Sequence, residues 1–384
     1  MMLGELPAFA FATAGAIRFG RGEGLRAVPD IAALGARILL VTGASVARAD
    51  WLVAALQDAG CTVTLCPTPA EPDVDLIAAG VARARAAEVT AVVALGGGAA
   101  IDAGKAIAAL VPATRPMLDH LEVVGQGLPL DHPPLPFVAI PTTSGTGAEV
   151  TRNAVIAVPE AQRKVSLRDV QMLPRLAIVD PSLTDHCPRG VTLASGLDAI
   201  TQVIEPNICT RANPMTDALC RAAIPMGLAA LPRLMTGEDR AARDAMAWVS
   251  LAGGLALANA GLGVVHGLAG PLGGLSNAAH GAICGALLPH GLEANSAEAS
   301  GDTATRLAEV RGWIASALGG SADSACVTLA NWSRAQGLPG LDALGIDAKM
   351  RQMAAQSAAT SSSMKANPVA LDAESLLGIM EAAR

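Results

Sequence analysis

Residues 91–105, A-V-V-A-L-G-G-G-A-A-I-D-A-G-K, decide the fold of this chain. The run Ala91–Leu95 contains no polar residue, which is typical of a strand buried on both faces of a parallel sheet. Three glycines follow, and the next residues predict a helix that begins near Ala99. The stretch therefore predicts a strand, a tight turn and a helix, the unit from which parallel α/β sheets are built.

The same alternation recurs through the first half of the chain. Further strand patterns are found at Ala16–Gly20, Arg37–Val41, Cys61–Leu65, Pro136–Ile140 and Ala177–Val179. Helical patterns separate them, so we predict a parallel sheet with right-handed crossovers in an α/β domain over residues 1–187.

After about Pro188 the strand patterns stop. The apolar spacing there predicts helices at Met215–Leu231, Arg240–Ala260, Ala304–Leu318 and Ser324–Gln336. Asp372 is an expected N-cap of a final helix. Residues 188–384 are thus predicted to form an all-α domain.

Composition narrows the class of protein. Of the 384 residues 52% are hydrophobic and 16% charged, which is typical of a folded globular chain. The net charge of −7 and the lack of a basic stripe with aromatic residues argue against nucleic-acid binding. No run indicates a membrane span. The seven cysteines lack C-x-x-C spacing, which favours reduced thiols in the cytoplasm.

Two loops after predicted strands favour a bound nucleotide. Gly96-Gly97-Gly98 lets a ligand approach the main chain, and the following helix would point free N–H groups at a pyrophosphate. Thr142, Thr143 and Thr146 add hydroxyl groups after the strand that ends at Ile140. The alternatives are a tight strand–helix turn and an ordinary Ser/Thr turn. Ligands bind beyond the carboxyl ends of such strands, which favours a functional role.

A second candidate site begins in Leu193–Glu205, L-A-S-G-L-D-A-I-T-Q-V-I-E. Ser195 is an expected N-cap, and Asp198 and Gln202 would project from one face of the helix that follows. With His266 and His280, this makes an oxygen and nitrogen donor set suited to a borderline divalent cation. The alternative is that both histidines are hydrogen-bonded interior groups.

Taken in order, these segments resemble the iron-containing (group III) alcohol dehydrogenase family over nearly the whole chain. The matching segments are 96–98 with Asp102 and Lys105, 141–149 with its G-T-G, Asp180-Pro181, 194–199, 266–281, 287–290 and Asn367-Pro368. The resemblance implies a dinucleotide-binding α/β domain, an all-α domain and an active site between them, as in the dehydroquinate synthase-like fold.

Three positions depart from the family pattern. Gln202 stands where a metal-binding His is expected, so the resemblance implies weaker or absent Fe²⁺ or Zn²⁺. Gly270 replaces a His that lies near the nicotinamide in many members. Gly43 replaces an Asp that accepts the ribose 2′-OH, so nothing there repels the 2′-phosphate of NADP.

The resemblance implies an NAD(P)-dependent alcohol dehydrogenase or reductase that interconverts an alcohol with an aldehyde or ketone by hydride transfer in an interdomain cleft. The implied metal ligands are Asp198, Gln202, His266 and His280, and the implied catalytic residues are His266, His280 and Asp102. The implied cofactor-binding residues are Gly43, Gly97, Gly98, Asp102, Thr142, Thr143, Thr146, Asn153 and Lys164.

Two other functions stay open on the sequence, and a third is disfavoured. One is a metal-independent reductase that resembles maleylacetate reductase, and another is a degenerate member that binds nucleotide without turnover. A lyase related to dehydroquinate synthase would need a basic phosphate pocket, and no such cluster is present in the second half. A small-molecule substrate is expected, with no nucleic acid, no membrane and a homo-oligomeric assembly.

Overall fold

The strand patterns of the first half pair into one parallel sheet in the computed structural model of the chain, which describes residues 7–358, 361 and 363–384. The strands are β1 (Ile17–Phe19), β2 (Arg37–Thr42), β3 (Thr62–Pro67), β4 (Ala91–Gly96), β5 (Phe137–Pro141), β6 (Asn153–Val158), β7 (Arg163–Arg168) and β8 (Leu176–Val179). Six of them are ordered β1-β8-β5-β4-β2-β3, and every pairing among the six is parallel.

Helices cover both faces of this sheet. They are α1 (Glu23–Arg26), α2 (Val28–Ala32), α3 (Asp50–Asp58), α4 (Val74–Ala86), α5 (Gly98–Leu110) and α6 (Met117–His120). Alternate residues of β2 and β4 enter different cores, with Leu39 and Val92 on one face and Ile38 and Val93 on the other. Because both faces are covered, the central strands carry continuous apolar runs.

Strands β6 and β7 form an antiparallel hairpin that the sequence did not predict. Burial alternates along β6, as expected for a strand with one covered face. The turn between the strands places Gln162 in the left-handed region at φ 51°. No glycine or Asn-Gly pair marks this turn in the sequence, so the usual hairpin signal is missing.

The chain divides into two compact units. The α/β unit comprises Thr13–Thr143 and Gly147–Asp185. Of the described residues, the helical unit comprises 7–12, Ser144–Thr146 and those from His186 to the C-terminus. The expected combination of an α/β and an all-α part is confirmed, since the described part of the helical unit contains no strand.

The helices of the helical unit are α7 (Arg189–Ile208), α8 (Pro214–Thr236), α9 (Arg240–Asn259), α10 (Val264–Leu275), α11 (His280–Glu298), α12 (Gly301–Leu318), α13 (Ala325–Ala335), α14 (Ala348–Ala358) and α15 (Ala373–Ala382). Helix α7 packs against α8, α9 and α11, and every residue from Gly196 to Ile208 is buried. It is the central helix of this unit.

Of the two residues predicted to be helix N-caps, Asp372 and Ser195, only the first is one. Asp372 accepts a hydrogen bond from the Ser375 N–H at 2.8 Å, so its role as N-cap of α15 is confirmed. Ser195 is not an N-cap, because α7 already begins at Arg189. Its hydroxyl instead donates to the carbonyl of Val191 at 2.8 Å, a bond that Ser commonly makes inside helices.

Helix α8 is long and apolar enough to cross a membrane, judged by length and composition alone. Half of its most apolar window is buried inside the protein. Core helices of globular proteins share these properties, so the helix is weak support for a membrane span.

Candidate functional site

Helix α7 supplies three polar side chains to the interior of the helical unit. Asp198, Gln202 and Glu205 are each at most 3% exposed. They lie four and then three residues apart, so they share one face of the helix. Carboxylates are rarely buried without a partner, which makes their neighbours informative.

The N-terminus of α10 places His266 beside α7. Glu205 accepts hydrogen bonds from the backbone N–H groups of Val265 at 2.6 Å and His266 at 3.4 Å. Asn367 Oδ1 accepts from the Val264 N–H at 2.9 Å. These N–H groups have no partner within the helix, so the two side chains satisfy the start of α10.

Glu205 also sets the orientation of the His266 ring. His266 Nδ1 lies 2.6 Å from Glu205 Oε2, and a carboxylate accepts only, so Nδ1–H is the donor. The other ring nitrogen, Nε2, points toward Asp198 Oδ1 at 3.4 Å. Metal-binding histidines commonly have this carboxylate partner on the far nitrogen.

Helix α11 brings two further donors. His280 is its first residue and Cys284 follows one turn later, so both side chains lie on one face. A close approach of α11 to α7 makes this possible. A Cβ on Gly281 would lie 2.6 Å from the carbonyl oxygen of Ala194, so only glycine fits there.

Asp198, His266, His280 and Cys284 form what we call the histidine cluster, with donor atoms that all lie within 4.8 Å of one another. Asp198 Oδ1 and His266 Nε2 are buried and have no hydrogen-bond partner. Leaving two such atoms unpaired is costly, whereas a cation between them would satisfy both. The donor types suit a borderline divalent cation, so the residues present fit a metal.

Charges within the histidine cluster shift its proton equilibria. Burial would raise the pKa of the Asp198 carboxyl, but His280 and His266 outweigh it and lower the pKa. The Cys284 sulfur, against the opposing effect of burial and with help from Asp198, raises the pKa of His280 to about 9. A divalent cation must displace these imidazole protons, so its affinity should fall as the pH falls.

Gln202 contacts a different group. Its Nε2 donates to the carbonyl of Thr146 at 2.6 Å, and Thr146 clusters with the helical unit. The role of Gln202 as a metal ligand stays a prediction. A Cβ on Gly270 would meet no atom within 4 Å, so there is space for a side chain at this position.

In the α/β unit, the order of the sheet reverses between β2 and β4. From β2 the chain proceeds outward to β3, whereas from β4 it proceeds to β5 and β8 on the other side. Ligands of open α/β sheets bind at such a switch point, outside the carboxyl ends of the strands. Gly43 follows β2 and Gly97 and Gly98 follow β4, so these three predicted residues meet at this edge.

The backbone at this edge is closely packed and carries free donors. A Cβ on Gly96 would lie 2.5 Å from the Cβ of Ala100 and 3.2 Å from the Gly43 nitrogen. Helix α5 begins at Gly98, and no side chain caps it. Its first N–H groups therefore remain available to an anion.

The other residues predicted to contact the nucleotide lie on different elements of the α/β unit. Thr142 and Thr143 follow β5 at the same edge, and the Thr142 N–H donates to the Gly96 carbonyl at 2.9 Å. Asp102 lies on the second turn of α5 and accepts from the Val155 N–H at 3.2 Å. Lys164 lies on β7 and forms an ion pair with Glu71.

Asn153 belongs to what we call the lysine cluster, which lies beneath the loop after β5. Lys105, only 1% exposed, donates to the carbonyls of Ala148 and Asn153, both at 2.8 Å, and to the Thr151 hydroxyl at 2.9 Å. Burial lowers the pKa of Lys105 to about 8 against the attraction of Asp102 and Glu149. The cluster thus ties α5 to the loop and to β6.

The sequence did not point to Cys284, which belongs to the histidine cluster, or to Glu205, which contacts His266 of that cluster. Cys284 is four residues after His280, and Glu205 is two turns after Asp198, so helical spacing was an available signal for both. The helices themselves were not predicted at 264–298, because glycine, proline and continuous apolar residues hide the helical period.

Comparison with known proteins identifies the family. The sequence model described as iron-containing alcohol dehydrogenase matches residues 14–181, and the C-terminal model of the same family matches residues 192–384. The chain belongs to the iron-containing alcohol dehydrogenase family. The family resemblance seen in the sequence is thereby confirmed.

Individual relatives agree with this assignment. The NAD-dependent methanol dehydrogenase of Bacillus methanolicus is 32% identical over 91% of this chain and 93% of its own length. A protein of Salmonella typhimurium named "Probable alcohol dehydrogenase EutG" is 38% identical over 61% of this chain. That match spans only 58% of the relative's own length. The crystal structure of a 1,3-propanediol oxidoreductase superposes with a TM-score of 0.89 at 28% identity, covering 98% of this chain and 100% of that one.

Proposed function

We propose that this chain is an NAD(P)-dependent oxidoreductase that interconverts an alcohol with an aldehyde or ketone. The histidine cluster carries the proposal, because a member of this family retains there two buried atoms without a hydrogen-bond partner, Asp198 Oδ1 and His266 Nε2. Unpaired polar groups of this kind are costly to stability and persist where function needs them.

We assign a separate role to each of the two predicted domains. Residues 1–187 would bind the nucleotide, and residues 188–384 would bind metal and substrate. Gly97 and Gly98 would present backbone N–H groups to the pyrophosphate, while Thr142, Thr143 and Thr146 would supply hydroxyl groups to the dinucleotide. Asp102, Asn153 and Lys164 are proposed as further cofactor contacts, with Asp102 near the phosphates or the nicotinamide ribose.

NAD(P) would supply the hydride acceptor or donor. Asp198, His266 and His280, with Gln202 as the fourth predicted ligand, would hold a divalent cation. When bound, that cation supplies Lewis acidity that polarises a substrate carbonyl. Glu205 keeps the His266 proton on Nδ1, so Nε2 stays directed into the site. If no cation is held, His266 and His280 would serve as hydrogen-bond donors or acids toward the substrate oxygen.

Turnover with a panel of short alcohols, measured as NAD(P)H absorbance after addition of Zn²⁺ or Fe²⁺, tests the activity. We expect oxidation of at least one alcohol, and reduction of the matching carbonyl compound in the reverse assay. A protein that binds nucleotide tightly and turns over no member of the panel would instead be a degenerate member.

Gly98→Asp tests the nucleotide site. A carboxylate at the N-terminus of α5 would repel the pyrophosphate, so we expect loss of cofactor binding by calorimetry. Gly190→Asp is the matched control, because Gly190 is exposed and a Cβ there would meet no atom within 4 Å. Unchanged affinity of the Gly98 variant would refute the assignment.

Gly43→Asp tests the choice of nucleotide. A Cβ on Gly43 would meet no atom within 4 Å, so the substitution fits the fold. We expect the wild type to accept NADP(H) at least as well as NAD(H). The variant should lose NADP(H) selectively, because a carboxylate there repels the 2′-phosphate. A strong wild-type preference for NAD(H) would contradict this expectation.

We further propose a cellular compartment and an oligomeric state for the protein. All seven cysteines are free of disulfides, which supports a reducing compartment such as the cytoplasm. The net charge of −7 supports the absence of a nucleic-acid partner. We also propose that the protein has no membrane partner and that it forms a homo-oligomer. Light scattering of the purified protein tests the oligomeric state.

A further inference from the structure

Cys284 lies inside the histidine cluster although it is not among the metal ligands that the family resemblance implies. The residue is completely buried, and its Sγ lies 3.5 Å from His280 Nε2. It is one of the four side chains whose donor atoms lie within 4.8 Å of one another.

Three of the six distances between donor atoms are close to the edges of a metal tetrahedron. Zinc bonds of about 2.0 Å to nitrogen or oxygen and 2.3 Å to sulfur give edges of about 3.3–3.6 Å. Asp198 Oδ1 to His266 Nε2 is 3.4 Å, and His280 Nε2 to Cys284 Sγ is 3.5 Å. The edge from Asp198 Oδ1 to His280 Nε2 is slightly longer, at 3.8 Å.

Gln202 leaves a vacancy in the expected ligand set. Its Nε2 is bonded to the Thr146 carbonyl, and an amide offers a transition metal far less than an imidazole or a thiolate. Asp198 Oδ1 and His266 Nε2 face each other at 3.4 Å without a hydrogen-bond partner, which indicates independently that a ligand belongs between these side chains. His280, whose side chain is 36% exposed, gives a small cation access from solvent.

We propose that Cys284 is a metal ligand of this protein and that it takes the place of the missing imidazole. On binding, the S–H bond breaks, the proton passes to solvent, and sulfur binds the cation as a thiolate, with no change of oxidation state. A site with one thiolate and two imidazoles favours Zn²⁺ and Co²⁺ over the oxygen-seeking Mn²⁺. The inference rests on the proposed function only in sharing its site, since cation binding requires no turnover.

Cobalt titration of the full-length protein, first freed of metal with a chelator, tests this directly. We expect the wild type to develop the near-ultraviolet charge-transfer absorption of a cobalt–thiolate bond, and Cys284→Ser to lack it. Cys220→Ser is the matched control, because Cys220 is equally buried on α8 outside the cluster. Burial raises the pKa of the Cys220 thiol, so it should remain a thiol and leave the spectrum unchanged.

Metal affinities give a second readout. Since altered outer-shell partners alone cost about 10–100-fold in affinity, Cys284→Ser should lose at least about 100-fold for Zn²⁺. Its affinity for Mn²⁺ should change by less than about tenfold. Adding Gln202→His to Cys284→Ser supplies an imidazole again. The double variant should recover at least about tenfold of the zinc affinity without the charge-transfer band, which separates ligand loss from misfolding.

The outcomes separate this inference from the proposed function. Cobalt binding by the wild type without the charge-transfer band would overturn the role of Cys284 and leave the proposed alcohol oxidation intact. Failure to bind Co²⁺, Zn²⁺ or Mn²⁺ at all would also overturn it. A wild type that shows the band but oxidises no alcohol would support the ligand and refute the proposed activity.

Discussion

The lysine cluster of the α/β unit and the histidine cluster of the helical unit both bury charged groups. They differ in how many of their polar atoms have a hydrogen-bond partner. The three donors of the Lys105 ammonium meet three protein acceptors, at 2.8, 2.8 and 2.9 Å. In the histidine cluster, Asp198 Oδ1 and His266 Nε2 have no hydrogen-bond partner.

This difference separates a structural use of buried charge from a binding use. A saturated ion such as Lys105 holds the surrounding backbone together and needs nothing from outside. An unsaturated set of donors stores an energetic cost that a ligand can relieve. Glu149 is the exception beside the lysine cluster, because its Oε1 is buried without a partner and its pKa is raised to about 7 by burial.

The largest expected effect comes from breaking the saturated cluster. Lys105→Met removes all three donors and leaves Glu149 without its cation. We expect a loss of about 3–5 kcal/mol in the free energy of unfolding. The melting temperature should fall by roughly 4–6 °C.

Lys164→Met is the control for this change, because Lys164 forms an ion pair with the half-exposed Glu71. Ion pairs with a partner at the protein surface contribute about 0–1 kcal/mol. Thermal unfolding measures both variants. Equal losses in the two would show that the three bonds of Lys105 stabilise nothing beyond an ordinary ion pair.

The next largest expected effect concerns Glu149, the buried carboxyl beside the lysine cluster. The folded-state pKa of Glu149 is raised from 4.5 to about 7 by burial, so the folded protein binds this proton more tightly than the unfolded chain. The stabilisation is complete below about pH 4.5 and is lost as the pH rises to about 7, by up to about 3 kcal/mol. Glu149→Gln cannot ionise and should lack this decline.

Melting temperatures at pH 5 and pH 7.5 compare the variant with the wild type. Glu160→Gln, an exposed carboxyl of the same unit, should retain the wild-type decline. Identical pH dependence of Glu149→Gln and wild type would rule out a buried, neutral Glu149.

The smallest effect concerns the orientation of the unsaturated cluster. Glu205→Gln weakens the acceptor that keeps the His266 proton on Nδ1. We expect zinc affinity to fall by about 10–100-fold, which corresponds to about 1.4–2.7 kcal/mol, while the fold persists. Competition with a zinc chelator measures it, and Glu298→Gln at the exposed end of α11 is the control. A zinc affinity equal to that of the wild type would mean that Glu205 only caps α10.

Much of the α/β unit could be predicted because its signals are local. The run Ala91–Leu95 and the three glycines after it predicted β4 and the start of α5 within two residues. The hairpin of β6 and β7 was missed because its turn uses Gln162 instead of glycine. Ser195 was misplaced because an N-cap residue can equally bond the preceding turn from inside a helix.

The sequence by itself determined the two-part architecture, the glycine turn at the nucleotide edge, and the residue types Asp198, His266 and His280. These depend on apolar periodicity and on a few local motifs, which act over a turn or a strand. Only the tertiary structure decided that Cys284 joins the cluster while Gln202 bonds to Thr146. Which donors meet depends on how α7, α10 and α11 pack, and that packing rests on contacts such as Gly281 against Ala194 between residues far apart in the chain.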